Sequence, residues 1–242
     1  MLTRRVDGYI SLSESALAAA IDRFPTLRSK PGAVVPIGHY RGIYPNDMTV
    51  AEARAHLGIP DSCRVIAFVG QIRPYKGVAG LIQRFREVPD RDIRLVVAGR
   101  PNSAELDRSL RSAAGDDDRI ILRLGFVPND EIQLYMRSAD LVALPFLEIL
   151  NSASAMLALS FDRPVLVPAR GSMAEVQRVV GDDWVRVYDG SLTSAELAQS
   201  LAWATRHRSA AAPLEAFDWD TIGRLTAHAY ERTRAYVDRG RR

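Results

Sequence analysis

RVIAFVGQIRPYKG, residues 64–77, joins a short apolar run to a loop bounded by two glycines. The run is apolar at successive rather than alternate positions, which is typical of a strand buried on both faces of a parallel sheet. Gly70 and Gly77 allow tight turns in the loop, and Lys76 stands where we expect a helix to begin. The stretch predicts a strand–loop–helix unit of an α/β fold.

The same kind of unit recurs along the chain. Further short runs, most of them apolar on both faces, predict strands at residues 93–99, 120–126, 141–146, 164–169 and 184–189. Between them lie amphipathic segments, and in one of these Val78, Leu81, Ile82 and Phe85 repeat at helical spacing. Alternation of this kind predicts a doubly wound parallel sheet with helices on both faces.

Signals for helix starts and shorter elements complete the predicted architecture. Boxes of Ser or Thr followed three positions later by Glu predict helix starts; they pair Ser11 with Glu14, Thr49 with Glu52, Ser172 with Glu175 and Thr193 with Glu196. Short strands are predicted at residues 7–11 and 33–37, and an apolar helix at 156–161. A loop at 209–216 and a long helix from Asp218 to about residue 239 end the chain.

Composition excludes several classes of protein. The chain has 242 residues, 47% of them hydrophobic and 25% charged, which is typical of a globular protein. With 32 Lys and Arg against 29 Asp and Glu, the net charge of +3 is too even to predict nucleic-acid binding. Cys63 is the single cysteine and the four histidines are scattered, so no disulfide and no metal site is predicted.

The sequence predicts a cytoplasmic protein. No apolar run approaches the roughly 20 residues of a bilayer span, and no apolar signal core follows the N-terminal charges. Arginines crowd the C-terminal end, at Arg232, Arg234, Arg239, Arg241 and Arg242. They leave open a peripheral contact with the inner face of a membrane, beside the simpler interpretation of a solvated helix end.

Loops that follow the strands are the predicted binding region, because open parallel sheets bind ligands beyond the carboxyl ends of their strands. Lys76 beside a helix N-terminus suits a phosphate, although a surface loop with a solvated lysine is an alternative. After the next strand, Gly99 permits close approach of a ligand and Arg100 can reach an anion. A tight strand-to-helix turn would also explain Gly99.

Two later loops carry further candidates. Gly125, Phe126 and Val127 offer backbone groups to the edge of a planar base, or form only a helix entry. Asn151 or Ser152 can cap a helix whose free amides suit a diphosphate. Glu148 is the only acid in residues 145–154 and is a candidate for binding sugar hydroxyls or moving a proton, or else an exposed carboxylate.

Five motifs in a fixed order resemble the C-terminal half of retaining glycosyltransferases of the GT-B fold, family four. They are VPIG at 35–38, FVGQIRPYKG at 68–77, LVVAG at 95–99, RLGFVPNDEIQLYMRSADLVALP at 123–145 and NSASAMLALSFDRPV at 151–165. The resemblance covers about residues 5–235. It implies a Rossmann-like domain that binds a nucleotide-sugar donor without a metal or cofactor, and an acceptor-binding N-terminal domain that is largely missing.

By that resemblance the chain divides into three parts. Residues 1–59 are a remnant of the N-terminal domain and the hinge, 60–208 the Rossmann-like domain, and 209–242 a C-terminal loop and helix. The implied donor-binding residues are Gly70, Gln71, Gly99, Arg100, Gly125, Phe126, Val127, Asn151, Ser152 and Ala153. The implied catalytic residues are Glu148, Lys76 and Arg73, of which Lys76 matches the lysine that binds the diphosphate.

The chain departs from the family pattern at four places. Gln71 replaces an arginine of the phosphate loop, for which Arg73 can substitute. Leu157 stands where the family has a ribose-binding glutamate. Ile149 falls at the other family glutamate, next to Glu148, and Asp162 replaces a glycine that is common in the family.

The predicted function is transfer of a sugar, with retention, from a nucleotide diphosphate to a hydroxyl of a glycan or glycolipid acceptor. The acceptor would be bound by the missing domain, so the isolated chain is expected to bind nucleotide without efficient transfer. The alternative, favoured by Gln71 and Leu157, is a non-catalytic nucleotide-sugar-binding or partner subunit. A sugar-nucleotide epimerase of the same fold is a third option, for which no acid–base set is evident.

Overall fold

A computed structural model describes residues 3, 5–206, 208 and 211–240. Its strands are β1 (Tyr9–Ser11), β2 (Gly32–Val34), β3 (Arg64–Val69), β4 (Ile93–Gly99), β5 (Ile120–Leu124), β6 (Leu141–Ala143), β7 (Val165–Pro168) and β8 (Val185–Tyr188). Its helices are α1 (Glu14–Arg23), α2 (Val50–Leu57), α3 (Val78–Arg86), α4 (Ala104–Ala114), α5 (Ile132–Ser138), α6 (Ala153–Ser160), α7 (Met173–Val180), α8 (Ser194–Ala204) and α9 (Trp219–Gly240). Arg241, Arg242 and the first two residues of the predicted 209–216 loop lie outside the described residues.

The larger sheet confirms the predicted doubly wound architecture. Its six strands are all parallel and follow the order β5-β4-β3-β6-β7-β8. The apolar strands are buried, as β3 illustrates with Ile66, Ala67 and Phe68 at 0% exposure. Successive connections run outward from β3 on one side and from β6 on the other, so the order reverses between these two strands. Ligands of such sheets bind beyond the carboxyl ends of the strands at this reversal.

A small second sheet pairs β1 with β2 in parallel, with Tyr9 opposite Gly32. The Glu175 carboxylate links it to the larger sheet by accepting hydrogen bonds from the backbone amides of Glu14, at 2.9 Å, and Ser15, at 2.8 Å. The predicted capping box of Ser172 and Glu175 is therefore wrong. Ser172 has φ −80° and ψ 3°, not the extended backbone that aims a cap side chain at the helix.

The other predicted helix starts differ in how closely they match. Thr49 and Glu52 form the complete capping box of α2. Thr193 caps α8, but the Glu196 carboxylate binds elsewhere, so that box is only half formed. The prediction of Ser11 as the first cap is wrong, because Ser13 caps α1 through the amide of Ala16.

The observed ends of some elements differ from the predicted ones at turn-forming residues. The strand predicted at 120–126 ends at Leu124, before Gly125, and that predicted at 141–146 ends at Ala143. Pro145 has no amide hydrogen with which to extend the second of these strands. The helix predicted at 156–161 starts three residues earlier, at Ala153, because Ser152 caps it through the amide of Ala155.

The start of α9 lies against the segment between the two sheets. Trp219 donates from its indole nitrogen to the His39 carbonyl at 3.0 Å, and its ring covers Gly38 so closely that a Cβ there would lie 2.8 Å from it. The His39 ring also meets the Asp218 carboxylate at 2.6 Å. These contacts fix where the long helix begins. Within the described ranges, neither α9 nor any other helix is long and apolar enough to cross a bilayer.

Asp162 occupies left-handed backbone, with φ 54°, where the family pattern has a glycine. Asp tolerates this conformation better than most side chains do. Its carboxylate also accepts hydrogen bonds from Arg41, at 2.7 Å, and from the amide of Ala212, at 2.9 Å. The substitution thus replaces conformational freedom with hydrogen bonds that link the end of α6 to Arg41, in the segment between β2 and α2, and to the chain that leads to α9.

A largely buried ion pair joins α2 to the start of the larger sheet. Arg54 donates to the Asp140 carboxylate at 2.8 Å and to the backbone carbonyls of Asp61 and Ser138. Asp140 also accepts from the amide of Val65 at 2.7 Å. The Arg54 side chain is only 9% exposed, so loss of its partner would leave a charge unpaired in the interior.

We expect Asp140→Asn to lower the free energy of unfolding by about 2–3 kcal/mol, less than for a fully buried pair because Asp140 keeps partial exposure. Urea unfolding followed by circular dichroism measures the change. The matched control is Asp118→Asn, whose pair with Arg91 is exposed at both ends and is expected to contribute nothing measurable. Equal stability of the two variants would contradict the role given to the buried pair.

Candidate functional site

A cleft of about 740 Å³ lies at the carboxyl edge of the larger sheet. Its walls come mainly from the loops after β3, β4 and β5, with Leu157 of α6 and with Tyr44 from the segment between β2 and α2. The lining residues are Tyr44, Val69, Gly70, Gln71, Arg73, Gly99, Arg100, Pro101, Asn102, Ser103, Ala104, Phe126, Val127, Asn129, Ile132 and Leu157. The volume suits a small-molecule ligand. Three of the four loops that the sequence predicted as a binding region, those after β3, β4 and β5, thus border one cleft.

The loops after β3 and β4 are held together by backbone contact. A Cβ on Gly99 would lie 1.8 Å from the carbonyl oxygen of Gly70, and Gly99 has φ 149°, a conformation that side chains rarely adopt. Ile72 donates to the Arg100 carbonyl at 3.0 Å and accepts from the amide of Asn102 at 3.2 Å. Glycine at position 99 is therefore required by the packing as well as by the turn.

The loop after β3 also contacts the loop after β6. Gly77 has φ 69°, and a Cβ on it would lie 2.1 Å from the Pro145 carbonyl oxygen. Leu147 donates from its amide to the Tyr75 carbonyl at 2.7 Å. Lys76 lies in a short 3-10 turn just before α3, where the sequence predicted the start of the helix itself. The turn is thus fixed by neighbouring loops on both sides.

Lys76 reaches the start of α6. Its ammonium nitrogen lies 3.4 Å from the Ser154 hydroxyl and 5.9 Å from the centre of the Phe68 ring. Burial lowers the pKa of Lys76 from its ordinary value, and the nearby Arg73 lowers it further. Both causes disfavour the charged ammonium, so a bound anion would offset their effect by stabilising the charged form. This is the electrostatic state expected of a phosphate-binding lysine.

Arg73 and Gln71 interact across the same loop. The Arg73 guanidinium donates to the Gln71 side-chain oxygen at 2.8 Å and to the Ile72 carbonyl at 3.0 Å. Arg100 follows β4 on another wall of the cleft and is exposed. The predicted loop residues thus bring two guanidinium groups to the cleft, one of them held by Gln71.

Phe126 is the most exposed of the large apolar side chains that line the cleft, at 79%. Val127 lines the cleft beside it. Gly125 lines a neighbouring depression, and its amide donates to the Gly99 carbonyl at 3.1 Å. An aromatic face open to solvent at the mouth of a cleft is free to stack on a planar base.

The remaining predicted residues lie outside the lining of this cleft. Glu148 is exposed in the loop after β6, in a shallow depression beside Tyr75 and Arg170. Asn151 and Ser152 line a separate, largely apolar groove of about 200 Å³. Ala153, the first residue of α6, is exposed. The structure therefore brings Lys76 to the start of α6, and it places Glu148 in a depression that it shares with Tyr75, the residue before Lys76.

Several lining residues were not singled out from the sequence. Tyr44 comes from the segment between β2 and α2 and packs near Tyr40, with ring centres 5.9 Å apart. Asn102 and Ser103 follow Arg100, and Asn129 follows Val127 in the loop after β5. Each of these three lies within a few residues of a predicted one. Position after a strand was the signal that could have found these three, whereas nothing in the sequence places Tyr44.

Leu157 of α6 also lines the cleft, at the position where the family pattern has its ribose-binding glutamate. Among the lining residues that the structure describes there is no Asp or Glu. Together with Arg73, Arg100 and the nearby Lys76, this gives the cleft a positive character that suits anionic ligands.

Comparison with known proteins identifies the family. A family model described as "Glycosyl transferases group 1" matches residues 63–207, more than half of the chain. A GDP-mannose:glycolipid 4-beta-D-mannosyltransferase of Xanthomonas campestris pv. campestris is 31% identical over 228 residues, which cover 90% of this chain and 63% of that protein. The chain thus spans less than two thirds of the length of this relative.

Solved structures share the fold. Sucrose-phosphate synthase from Thermosynechococcus elongatus has a TM-score of 0.74 at 20% identity, over 97% of this chain and 60% of that one. Anabaena HepE, solved in complex with UDP-glucose, has a TM-score of 0.69 at 20% identity, over 92% of this chain and 63% of that one. At this level of identity the likeness shows the fold alone.

We expect Gly99→Ala to lower the free energy of unfolding by at least about 2 kcal/mol, since a methyl group cannot fit against the Gly70 carbonyl at this φ. Chemical unfolding measures it. Gly80→Ala is the matched control: it lies inside α3 with open space around its Cα and is expected to stabilise by about 0.5–1 kcal/mol. A Gly99→Ala protein as stable as the parent would contradict the contact.

Proposed function

Since the chain belongs to the group 1 glycosyl transferases, we propose that it binds the nucleotide-diphosphate sugar from which a glycosyl group is transferred to an acceptor hydroxyl. The observation that carries the proposal is the position of Lys76. Its partly desolvated ammonium lies 3.4 Å from Ser154 in the first turn of α6, beside a cleft lined by Arg73 and Arg100. A diphosphate satisfies this arrangement, because it pairs with the cations and accepts hydrogen bonds from helix-start amides.

Within the proposed reaction, the bond between the anomeric carbon and the diphosphate oxygen breaks, and negative charge collects on the departing diphosphate. Lys76, Arg73 and the amides at the start of α6 stabilise that charge. The proton of the acceptor hydroxyl passes to an oxygen of the departing diphosphate as the new glycosidic bond forms. No cofactor is proposed, because the cationic side chains of the protein stabilise the negative charge on the departing diphosphate. Glu148, in the loop that leads from β6 to α6, is proposed to bind the hydroxyls of the sugar or to move a proton.

The acceptor part of the proposal draws on the relatives. The Xanthomonas protein is named for a glycolipid acceptor, and it has more than a third of its length beyond the region that matches this chain. We propose that a corresponding region binds a glycan or glycolipid acceptor here. With a glycolipid acceptor, we propose that the protein acts in the cytoplasm, peripheral to the inner face of a membrane. The exposed Arg232, Arg234 and Arg239 of α9 support such a contact.

A second candidate is a non-catalytic nucleotide-sugar-binding or partner subunit. Leu157 and Gln71 favour it, because they replace two groups of the family's donor site. Radiolabelled donors with a panel of glycolipid acceptors distinguish the candidates. Sugar transfer that occurs only when a second, acceptor-binding protein is added supports the donor domain. Nucleotide binding without transfer under any condition supports the non-catalytic subunit.

We expect Lys76→Met to weaken nucleoside diphosphate binding by at least about tenfold, the value of one hydrogen bond to a charged group. Without ligand, the variant should melt at the same or a higher temperature, because the desolvated ammonium is removed. Affinity of the parent should fall as pH rises through the lowered pKa of Lys76, since only the charged ammonium pairs with phosphate. Calorimetry with ADP, GDP and UDP measures the affinities.

Arg91→Met is the matched control for loss of one cation. Arg91 is exposed and pairs with Asp118. Arg91 precedes β4 and Asp118 precedes β5, so the pair lies at the amino edge of the larger sheet, opposite the cleft. Its affinity for nucleotide should equal that of the parent. Unchanged binding in Lys76→Met, or equal losses in both variants, would contradict the donor-site proposal.

Retention of the anomeric configuration is a separate proposal, which comes from the resemblance to retaining glycosyltransferases. With an α-configured donor, retention gives an α-linked product and inversion a β-linked one. We expect the α product, and the anomeric proton coupling in NMR spectra of the purified product measures it. The Xanthomonas relative is named as a beta-mannosyltransferase, so a β product from an α donor is the specific result that would overturn retention.

A further inference from the structure

We infer that this protein has a second binding site, separate from the cleft, for a small organic anion with an apolar body. The site is a cavity of about 180 Å³ between α3 and the loops after β6, β7 and β8, and we call it the Tyr188 cavity. It shares no lining residue with the cleft. The inference therefore does not depend on the proposed function, which concerns the cleft.

The Tyr188 hydroxyl points to a ligand because it is nearly buried and has no partner. Tyr188 is 7% exposed and lines the cavity, and its phenol oxygen makes no hydrogen bond to any residue that the structure describes. In that part of the chain, every side-chain oxygen or nitrogen that is sealed from solvent has a hydrogen-bond partner. The phenol oxygen must therefore open on the cavity. Such a group gains a partner when a ligand binds there.

Arg170 adds a positive charge beside this hydroxyl. Its guanidinium lines the cavity and donates one N–H to the Leu147 carbonyl, so its other N–H groups are available to a ligand. Burial raises the pKa of Tyr188 to about 12, and the nearby charge of Arg170 opposes that change. The phenol therefore keeps its proton at neutral pH. The hydroxyl and the guanidinium both offer donors to a carboxylate or phosphate oxygen.

The other charged groups around the cavity leave it cationic. Arg84 of α3 also lines it, and its partner Glu87 lies outside the lining. Glu196 is near enough to raise the pKa of Tyr188, but its carboxylate accepts from Arg186 at 2.9 Å and from Ser200 at 3.0 Å. The lining consists entirely of described residues and contains no Asp or Glu. An anion therefore meets two guanidinium groups and no carboxylate.

The remaining walls are apolar and fixed in position. Leu81 and Phe146 are almost fully buried beneath the cavity, and Leu192 lines it from the loop after β8. The α3 and β6 sides are held together, because a Cβ on Gly77 would lie 2.1 Å from the Pro145 carbonyl oxygen. Preformed apolar walls with a few convergent polar groups are typical of small-molecule sites. The volume is below the roughly 300 Å³ of sites for drug-sized ligands, which limits the ligand to a small apolar body.

Titration of the whole chain followed by two-dimensional NMR tests the inference, because amide signals locate a bound probe. The probes are benzoate and phenyl phosphate, and benzyl alcohol is the neutral control of similar shape. We expect at least one of the anions to shift the amide signals of Gly80 and Leu192, which line the Tyr188 cavity, with a dissociation constant at least about tenfold below that of benzyl alcohol. The anion that binds more tightly identifies the preferred oxyanion.

Two results of this titration would overturn the inference. One is a shift confined to residues of the cleft, such as Gly99 and Phe126, or no shift with either anion. The other is equal binding of benzyl alcohol and the anions in the cavity.

Tyr188→Phe removes only the hydroxyl and should weaken anion binding in the cavity by about tenfold, the value of one hydrogen bond to a charged group. Without ligand the variant should melt at the same or a higher temperature, because the group removed has no partner. Tyr230→Phe makes the same change at an exposed position on α9 and should alter neither property. Lys76→Met should also leave binding in the cavity unchanged, which separates this inference from the donor-site proposal. Equal affinities of Tyr188→Phe and the parent would contradict the inference.

Gly80→Leu is a second variant that does not touch the hydroxyl. A Cβ at Gly80 meets no atom within 4 Å, so a leucine side chain there extends into the cavity and should abolish the shift of the Leu192 amide. Gly80→Ala adds only one methyl group and should retain binding. Unchanged binding in Gly80→Leu would place the anion elsewhere and overturn the inference.

Discussion

Close contact between the backbones of Gly70 and Gly99 is the constraint on which the cleft depends. Neighbouring parallel strands bring their carboxyl ends together, but a side chain at position 99 would force the two loops apart, because its Cβ would lie 1.8 Å from the carbonyl oxygen of Gly70. With glycine at position 99, the carbonyl of Gly70 lies against bare backbone, and the loops continue side by side through Ile72 and Asn102. That arrangement places Arg73 and Arg100 in the lining of the same cleft. It also directs the chain so that the Lys76 side chain reaches α6.

The fold and the cleft were predictable to different degrees. Apolar runs buried on both faces leave few alternatives to a parallel sheet, so β3 and β4 could be located almost to the residue. Glycine positions were equally informative, because Gly70 directly follows β3 and Gly99 is the last residue of β4. Glu175 was not predictable, since its partners at the start of α1 are 160 and 161 residues away in the chain. A local pattern gives the wrong answer when a distant partner competes for the same carboxylate.

Departures from the family pattern have different structural meanings. Asp162 keeps the left-handed turn of the glycine it replaces and adds contacts to Arg41 and Ala212, so the substitution is compensated within the fold. Leu157 makes no new polar contact of this kind, and it lines the cleft while it also packs against the core. The first change therefore adds contacts between elements of the fold, and the second makes the wall of the cleft apolar at this position. Sequence alone detects both substitutions but cannot tell them apart, because burial and partners decide the difference.

The absence of acids from the described lining also affects how a ligand arrives. A concave surface with several cations and no opposing carboxylate attracts anions over a distance of about 10 Å at 0.1 M ionic strength. Encounter with a diphosphate is then accelerated by the field before any hydrogen bond forms. Inorganic phosphate and other small anions are attracted by the same field, so they compete for the cleft in proportion to their concentration. Binding of the proposed nucleotide sugar should therefore weaken as the concentration of other small anions rises.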